Sequence, residues 1–296
     1  MNGSRFLIVT ADDFGLDYSV NEAVASAAQS GVLTAASLMV GAPATDEAVR
    51  IAHSLPCLRV GLHLVLTEGW PVLGPRSIPD LVGADGKFAD RMVLDSIRYC
   101  GSARIRRQLR DEIRAQFEAF ARTGLKLDHV NAHKHFHVHP GILRDILTIG
   151  RDFGMQALRV PDEPLWFAAS VNRSNYLSAP LLGPWLRIMR HQIRKSGIAC
   201  NDRVFGVACT GQLDEETMLA ILDRLPQGVT EIYLHPAQTA RPISAAMSGY
   251  RHAEELAALL SPKVRAAVGA SQAACGGYSD AFERRWGQSR IQNRTA

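Results

Sequence analysis

Cysteine is scarce in this chain: five residues in 296 (Cys57, Cys100, Cys200, Cys209 and Cys275), an odd number with no pair at CxxC spacing. This argues against a disulfide framework and against a thiolate zinc site, and free thiols point to a reducing compartment. No run of about 18 apolar residues occurs, so no spanning helix is expected. The opening MNGSRFLIVTADD has no charged segment leading into a long apolar run. No secretion signal is therefore expected, and the expected location is the cytoplasm. Aromatic residues make up 7% and the formal net charge is +4, with no basic stripe interleaved with aromatics. Nucleic acid is not an expected partner, although a mildly basic chain leaves peripheral contact with an anionic membrane surface open. Arg104, Arg106, Arg107, Arg110 and Arg114 fit the solvated face of a helix. No G-x-G-x-x-G opens the first helix and there is no P-loop, which disfavours nucleotide cofactors.

Hydrophobic residues make up 47% and charged residues 21%, the balance of a soluble globular protein with a self-supporting core. Short apolar runs predict strands at 5–10, 35–40, 59–66, 128–135, 157–160, 203–209 and 229–234. Between them, helices are predicted at 19–30, with Ser19 as cap and Gly31 as stop, and at 44–54, 103–123, 140–154, 214–224 and 250–260. Alternation of this kind specifies a parallel sheet, either open and doubly wound or closed as a (β/α) barrel, with chemistry at the carboxyl ends of the strands. A single β/α domain is expected over 1–270, with a long loop at 67–102, an irregular insert at 162–202 containing a helix near 181–195, and a loosely ordered tail at 271–296. Loops of that length are usually functional.

Polar residues gather at the predicted strand ends. Asp12 and Asp13 follow the first strand, His63 sits in the third, and His235 ends the last. In HVNAHKHFHVHP, residues His129, Asn131, His133, His135, His137 and His139 share a face for as long as strand geometry lasts. The bland alternatives are a helix cap for the aspartates and a satisfied core histidine for His63. An aspartate with two histidines, however, is a divalent-metal set, and three protein ligands with an open position define a catalytic site. A second carboxylate beside the ligand can act as general base, and a histidine opposite can protonate a leaving amine. That inventory matches amide or ester hydrolysis.

The strings TADDFGLDYSVNEAV, GLHLVLTEGWPV, DHVNAHKHFHVHP and YLHPA resemble the YdjC-like carbohydrate deacetylases, whose familiar member is chitooligosaccharide deacetylase, over about 5–262. IRRQLRDEIRAQFEAF, IRKSGIACNDRVFGVACTG and EIYLHPA are most similar to the hopanoid-biosynthesis-associated branch. The resemblance implies an α/β fold, a deformed TIM-like (β/α) barrel with seven or eight parallel strands. It implies metal ligands Asp13, His63 and His133, the base Asp12 and the acid His235. The cation expected is Zn²⁺, with Mg²⁺ as the alternative. His135 and His137 become candidate substrate-binding residues. Where the broader family often has S-H-H-H-x-H, this chain has Ala132-His133-Lys134-His135-Phe136-His137, so the ligand histidine is kept while its neighbours differ.

The branch implies removal of the acetyl group from an N-acetylglucosaminyl hopanoid, leaving a free amine. The insert, rich in large apolar residues such as Trp166, Phe167, Tyr176, Trp185 and Leu186 with Arg187, Arg190 and Arg194 alongside, fits a lipid-linked sugar loosely, with Trp185 as a substrate contact. Packing against the barrel or a homodimer partner is the plainer account of the same residues. The rival readings are a chitooligosaccharide or diacetylchitobiose deacetylase and, in another class, a non-catalytic metal- or sugar-binding module.

Overall fold

The first apolar run forms β1 (Arg5–Phe14), buried along its whole length after Arg5. A strand so buried needs partners on both edges and cover on both faces. In the computed structural model, which describes residues 4–89, 102–171, 179–239 and 241–283, β1 is the central strand of a sheet in the order β4-β3-β2-β1-β6-β5. The partners are β2 (Ala35–Leu38), β3 (Arg59–Leu64), β4 (Val130–Ala132), β5 (Arg203–Phe205) and β6 (Gly228–Leu234). Every pair is parallel, and β6 follows β1 without a break from Arg5↔Gly228 to Ala11↔Leu234.

Helices alternate with these strands: α1 (Tyr18–Ser30), α2 (Thr45–Ser54), α3 (Ala103–Arg122), α4 (Pro140–Asp152), α5 (Leu165–Val171), α6 (Ala179–Lys195), α7 (Glu215–Asp223), α8 (His252–Leu260) and α9 (Pro262–Ala270). The sheet curls into a half-barrel with flanking helices, the deformed TIM-like architecture expected. None of the described helices is long and apolar enough to cross a membrane. The four described cysteines are free thiols.

Four expectations change. The run 157–160 is not a strand; it meets its neighbours only through the single bridges Val130↔Leu158 and Ala157↔Ala199. The Asn201 side chain replaces the missing ladder: its Oδ1 accepts from Val160 N at 2.8 Å and its Nδ2 donates to Val160 O at 2.9 Å. The cap of α1 is Asp17, whose Oδ1 accepts from Ser19 N at 2.8 Å, not Ser19. Two helices, α5 and α9, lie where none was predicted, although Ser261 and Pro262 spell the start of α9 in side-chain cap and N1 proline.

The fourth change concerns the tail, which is ordered at least to Glu283. Residues 274–275 form β7, parallel to the start of β1 (Phe6↔Ala274, Leu7↔Cys275). Tyr278 and Phe282 then pack with Phe6, Ile8, Ala35 and Val229 as a second small core at the amino ends of the strands. Burying each ring contributes about 1.5–3 kcal/mol, which offsets the flexibility of the Gly-Gly sequence before them. Residues 90–101 of the long loop, with Cys100, residues 172–178 of the insert, with Tyr176, and residues 284–296 lie outside the described residues.

Helix α3 shows how the long loop is held. Its apolar face, Leu109, Ile113, Phe117 and Phe120, is buried in the main core, while Arg104 and Arg107 are exposed as expected. Beside the apolar stripe run the buried polar residues Gln108, Glu112 and Gln116, one helical turn apart. Glu112 accepts from Val72 N and Leu73 N at 2.8 and 2.9 Å, and Gln116 pairs with both backbone groups of Val65 at 2.9 and 2.7 Å. The loop after β3 is therefore pinned to a helix by side chains rather than by a ladder.

Candidate active site

In a regular strand Asp12 and Asp13 would face opposite sides. The register of β1 against β2 shifts between Ala11 and Phe14, and Asp13 has φ +62°. Aspartate tolerates this left-handed conformation better than most residues. The result is that both carboxylates face the same buried pocket at the carboxyl end of the sheet, each 2% exposed.

Asp13 meets two imidazoles. Its Oδ1 lies 3.1 Å from His63 Nε2 and 3.0 Å from His133 Nδ1. Ligand atoms of Asp13, His63 and His133 all lie within 4.8 Å of one another, and all three residues are buried. Asn131 orients His63. The Asn131 amide nitrogen donates to Ser37 Oγ at 2.9 Å and Asp12 Oδ1 at 3.2 Å, so its oxygen faces His63 Nδ1 at 2.6 Å. His63 Nδ1 therefore carries a proton, and Nε2 is left to face the Asp13 carboxylate. Fixing the tautomer of a ligand histidine through its other nitrogen is the usual device of metal sites.

Electrostatics at this point favour positive charge. Burial disfavours a charged His63, yet Asp12 and Asp13 outweigh it and raise its pKa. Burial also pushes the Asp13 carboxyl up, but His133 and His63 reverse this and hold it well below the usual range. Asp13 Oδ2 is buried with no hydrogen-bond partner, which is costly for a carboxylate oxygen unless a cation compensates. The donor set and the unsatisfied oxygen both fit a divalent ion, and this buried triad could hold one.

The strand that presents His133 ends there. Lys134 and His135 have φ +51° and +55°, and the chain turns into a 3-10 segment, His133–Val138. The alternation read from HVNAHKHFHVHP thus stops at His133. Left-handed non-glycine residues cost of order 1–3 kcal/mol each, and such strain concentrates at functional sites. Beyond the turn the histidines separate. His135 Nε2 lies 3.0 Å from the Tyr233 hydroxyl, and burial brings its pKa down to about 3. His137 is fully buried, and burial with the neighbouring His135 holds it well below its ordinary value. His139 caps α4, its Nδ1 accepting from Gly141 N at 3.2 Å. Trp185, on α6, donates from Nε1 to Val138 O at 2.8 Å and packs against the core, so it braces the turn.

Asp12 is held by Arg159, which is fully buried. Arg159 reaches Asp12 Oδ2 and Oδ1 at 2.5 and 3.0 Å, and Glu231 Oε2 and Oε1 at 2.8 and 2.8 Å. Burial raises the Asp12 carboxyl, but the guanidinium outweighs it and keeps the group well below the carboxylate range, so Asp12 is ionised at any working pH. His235 ends β6. Its backbone N–H donates to Glu255 Oε2 at 2.5 Å, and its carbonyl accepts from His252 Nδ1 at 2.6 Å. Burial, partly opposed by Asp13 and Asp12, brings the His235 ring down to about 4. Glu255 shifts the other way, pushed by burial to about 8.

Sequence reasoning passed over Arg159, Glu231, Tyr233 and Glu255. A signal existed for two of them: Arg159 interrupts ALRV and Glu231 interrupts VTEIYL, and opposite charges inside buried runs call for one another.

Two cavities lie in this part of the molecule, and of the triad His133 lines the first and none lines the second. One, of about 260 Å³, is lined by His133 with Glu68, Trp70, Lys87, Tyr18 and Met247. Lys87 lies 4.5 Å over the Trp70 ring, and Lys134 pairs with Glu68 at the rim. The other, a cleft of about 1020 Å³, runs along the insert and is lined by Leu165, Trp166, Leu182 and Leu186 with Glu163 and Arg187. The long loop and the insert thus line different cavities.

The sequence profile of the YdjC-like proteins matches residues 6–270. A carbohydrate deacetylase of Geobacillus stearothermophilus is 30% identical over 263 residues, covering 87% of this chain and 90% of the relative. A carbohydrate deacetylase of Brevibacillus brevis is 38% identical over 172 residues, covering 58% of this chain and 64% of the relative, just under two thirds of its length. Among solved structures, a candidate cellobiose-phosphate cleavage protein of Enterococcus faecalis superposes with a TM-score of 0.73 at 24% identity, over 94% of this chain and 98% of that one.

Proposed function

The chain belongs to the YdjC-like family, and we propose that it is a carbohydrate deacetylase that hydrolyses the N-acetyl group of an amino sugar with one divalent cation bound by Asp13, His63 and His133. The observation that carries this reading is the convergence of those three buried ligands beside a second, ionised carboxylate. Two imidazoles and a carboxylate suit zinc first and magnesium second. When bound, such a cation polarises an acyl oxygen and makes water acidic enough to attack near neutral pH.

The chain's own groups do the rest. Asp12, ionised and fixed by two hydrogen bonds from Arg159, accepts the proton of the attacking water. His235 is neutral at rest. With its pKa brought down to about 4, the ring takes a proton from solvent and passes it to the nitrogen as the C–N bond breaks, and the proton left on Asp12 returns to solvent, which balances the step. The ring's Nδ1 is buried with no hydrogen-bond partner in the protein. Tyr233, with Thr210 and His135 on its hydroxyl at 3.0 and 3.0 Å, stands between Arg159 and His235, and we assign His135 and His137 to substrate contact.

The finer substrate we propose is lipid-linked, an N-acetylglucosaminyl hopanoid. In support, the insert cleft is lined by apolar side chains, and Leu165, Trp166 and Leu182 are 48%, 42% and 47% exposed. The rigid apolar body would lie there, with the chain in the cytoplasm and the insert against a membrane surface. The test is release of acetate from an N-acetylglucosaminyl hopanoid and from a soluble chitooligosaccharide, each with and without a chelator. Release from both at similar efficiency supports the chitooligosaccharide reading, and cation binding without release from either supports the binding module.

A further inference from the structure

An unbroken chain of hydrogen bonds runs from the amino end of the barrel to Asp12. It begins at Tyr278, in the segment after β7, which is fully buried with its ring stacked on His129 at 4.8 Å between centroids. The Tyr278 hydroxyl donates to Glu231 Oε2 at 2.5 Å. Glu231 holds Nε and Nη2 of Arg159 at 2.8 and 2.8 Å, and its Oε1 also accepts from Thr10 Oγ1 at 2.7 Å. Arg159 in turn holds both oxygens of Asp12. The Tyr278 backbone is itself anchored: its N–H and that of Ser279 donate to the two oxygens of Asp128 at 3.0 and 2.9 Å.

A guanidinium shared by two buried carboxylates rests where their pulls balance. The Tyr278 hydroxyl spreads part of the Glu231 charge and so sets how strongly Glu231 competes for Arg159. Without it, Glu231 keeps one neutral donor, Thr10, and draws the guanidinium away from Asp12. We propose that Tyr278 is a positioning residue for Asp12, acting through Glu231 and Arg159, so that the carboxy-terminal plug of the barrel sets the geometry of the general base at the opposite end. The proposal rests on the reading of Asp12 as the base, and the experiment therefore has an arm that does not depend on turnover.

That arm is the side-chain Nε–H signal of Arg159 in ¹⁵N–¹H NMR spectra of the full chain loaded with zinc. Tyr278→Phe keeps the ring and removes the hydroxyl. Phe282→Ala, in the same small core, loosens the plug without touching the chain of hydrogen bonds. The expected result is that the Arg159 signal moves in Tyr278→Phe and stays in place in Phe282→Ala. On an N-acetylated sugar, kcat of Tyr278→Phe should fall about three- to tenfold with KM kept, since small displacements of a catalytic group are costly, whereas Phe282→Ala should lose melting temperature and keep kcat. Should Tyr278→Phe not fold, Glu231→Gln tests the same link from its other side: it removes the competing charge, so the Arg159 signal must again move, now toward a tighter hold on Asp12, with kcat changed and KM kept. An unmoved Arg159 signal, or equal loss of kcat in the Tyr278 and Phe282 variants, overturns the proposal. Absence of acetate release by the unaltered chain would instead remove the deacetylase reading, leaving the NMR arm to decide the relay.

Discussion

The two ends of the barrel carry nearly the same chemistry. At the amino end, Asp128 receives His129 Nδ1 at 2.9 Å, Ser279 Oγ at 2.6 Å and two backbone N–H groups, and His129 Nε2 lies 3.0 Å from Ser37 Oγ. At the carboxyl end, Asp13 faces His63 and His133, but its Oδ2 has no partner and His63 Nε2 is left facing a carboxylate. Both aspartates are buried beside imidazole, and both are held below the ordinary carboxylate range against the effect of burial, Asp128 to about 2 by His129 and Ser279. Residue type and burial therefore do not separate them; hydrogen-bond satisfaction does. A buried polar cluster whose atoms are paired stabilises the fold, whereas one with unpaired atoms converging on a point is poised for a ligand.

Breaking the comparison requires a variant at each end. The largest effect is expected at Asp13. Asp13→Ala should abolish high-affinity zinc binding in calorimetry and reduce acetate release to background, as should a chelator on the unaltered chain. Asp12→Asn comes next: zinc binding is kept while kcat falls roughly 10²–10⁴-fold, the worth of a positioned general base. Wild-type turnover by that variant would assign the base elsewhere.

At the opposite end, Asp128→Asn should cost about 1–3 kcal/mol of stability in denaturant unfolding, the penalty for disturbing buried hydrogen bonds, with zinc affinity unchanged. Loss of zinc binding by a folded Asp128→Asn protein would erase the distinction between the two ends.

A pH dependence sharpens it further. Burial raises Glu255 from 4.5 to about 8, so its contribution to stability is fully present below about pH 4.5 and is lost as pH rises through 8. Glu255 should therefore lower stability, on the order of a few kcal/mol, progressively between about pH 4.5 and 8, and Glu255→Gln should flatten that decline. Asp12 and Asp13, held low, contribute nothing to the slope there. The smallest effect is expected at the insert: Leu182→Ser should leave turnover of a soluble N-acetyl sugar unchanged and raise KM severalfold for a lipid-linked one. Equal effects on both substrates would mean that the cleft is ordinary packing.

Much of the carboxyl end was legible beforehand because its signals are local. A pair of aspartates after an apolar strand, a histidine inside another, and alternating histidines at the end of a third are patterns of a few residues each, and a parallel sheet brings those strand ends to one side; turning Asp12 and Asp13 the same way took the break in β1 at Asp13. The shared face lasts only to His133, because two left-handed residues, Lys134 and His135, end the strand period there. The alternation held no sign that His135 meets Tyr233. Over 271–283 composition was a poor guide: Gly276, Gly277 and Ser279 look loose, and the small core that Tyr278 and Phe282 form with Phe6, Ile8 and Val229 orders them.

The sequence alone was enough for the alternation of elements, the parallel sheet, and the gathering of Asp12, Asp13, His63, His133 and His235 at its carboxyl end. Only in three dimensions does Arg159 join Asp12 to Glu231, Asn131 fix the tautomer of His63, and residues 274–283 pack at the amino ends of the strands and reach the same network. The physical reason is range. Hydrophobic periodicity is written over neighbouring residues, whereas the pairing of buried charges is settled by whichever opposite charge or donor the fold brings within about 3 Å. For Asp12 that partner stands 147 positions along the chain.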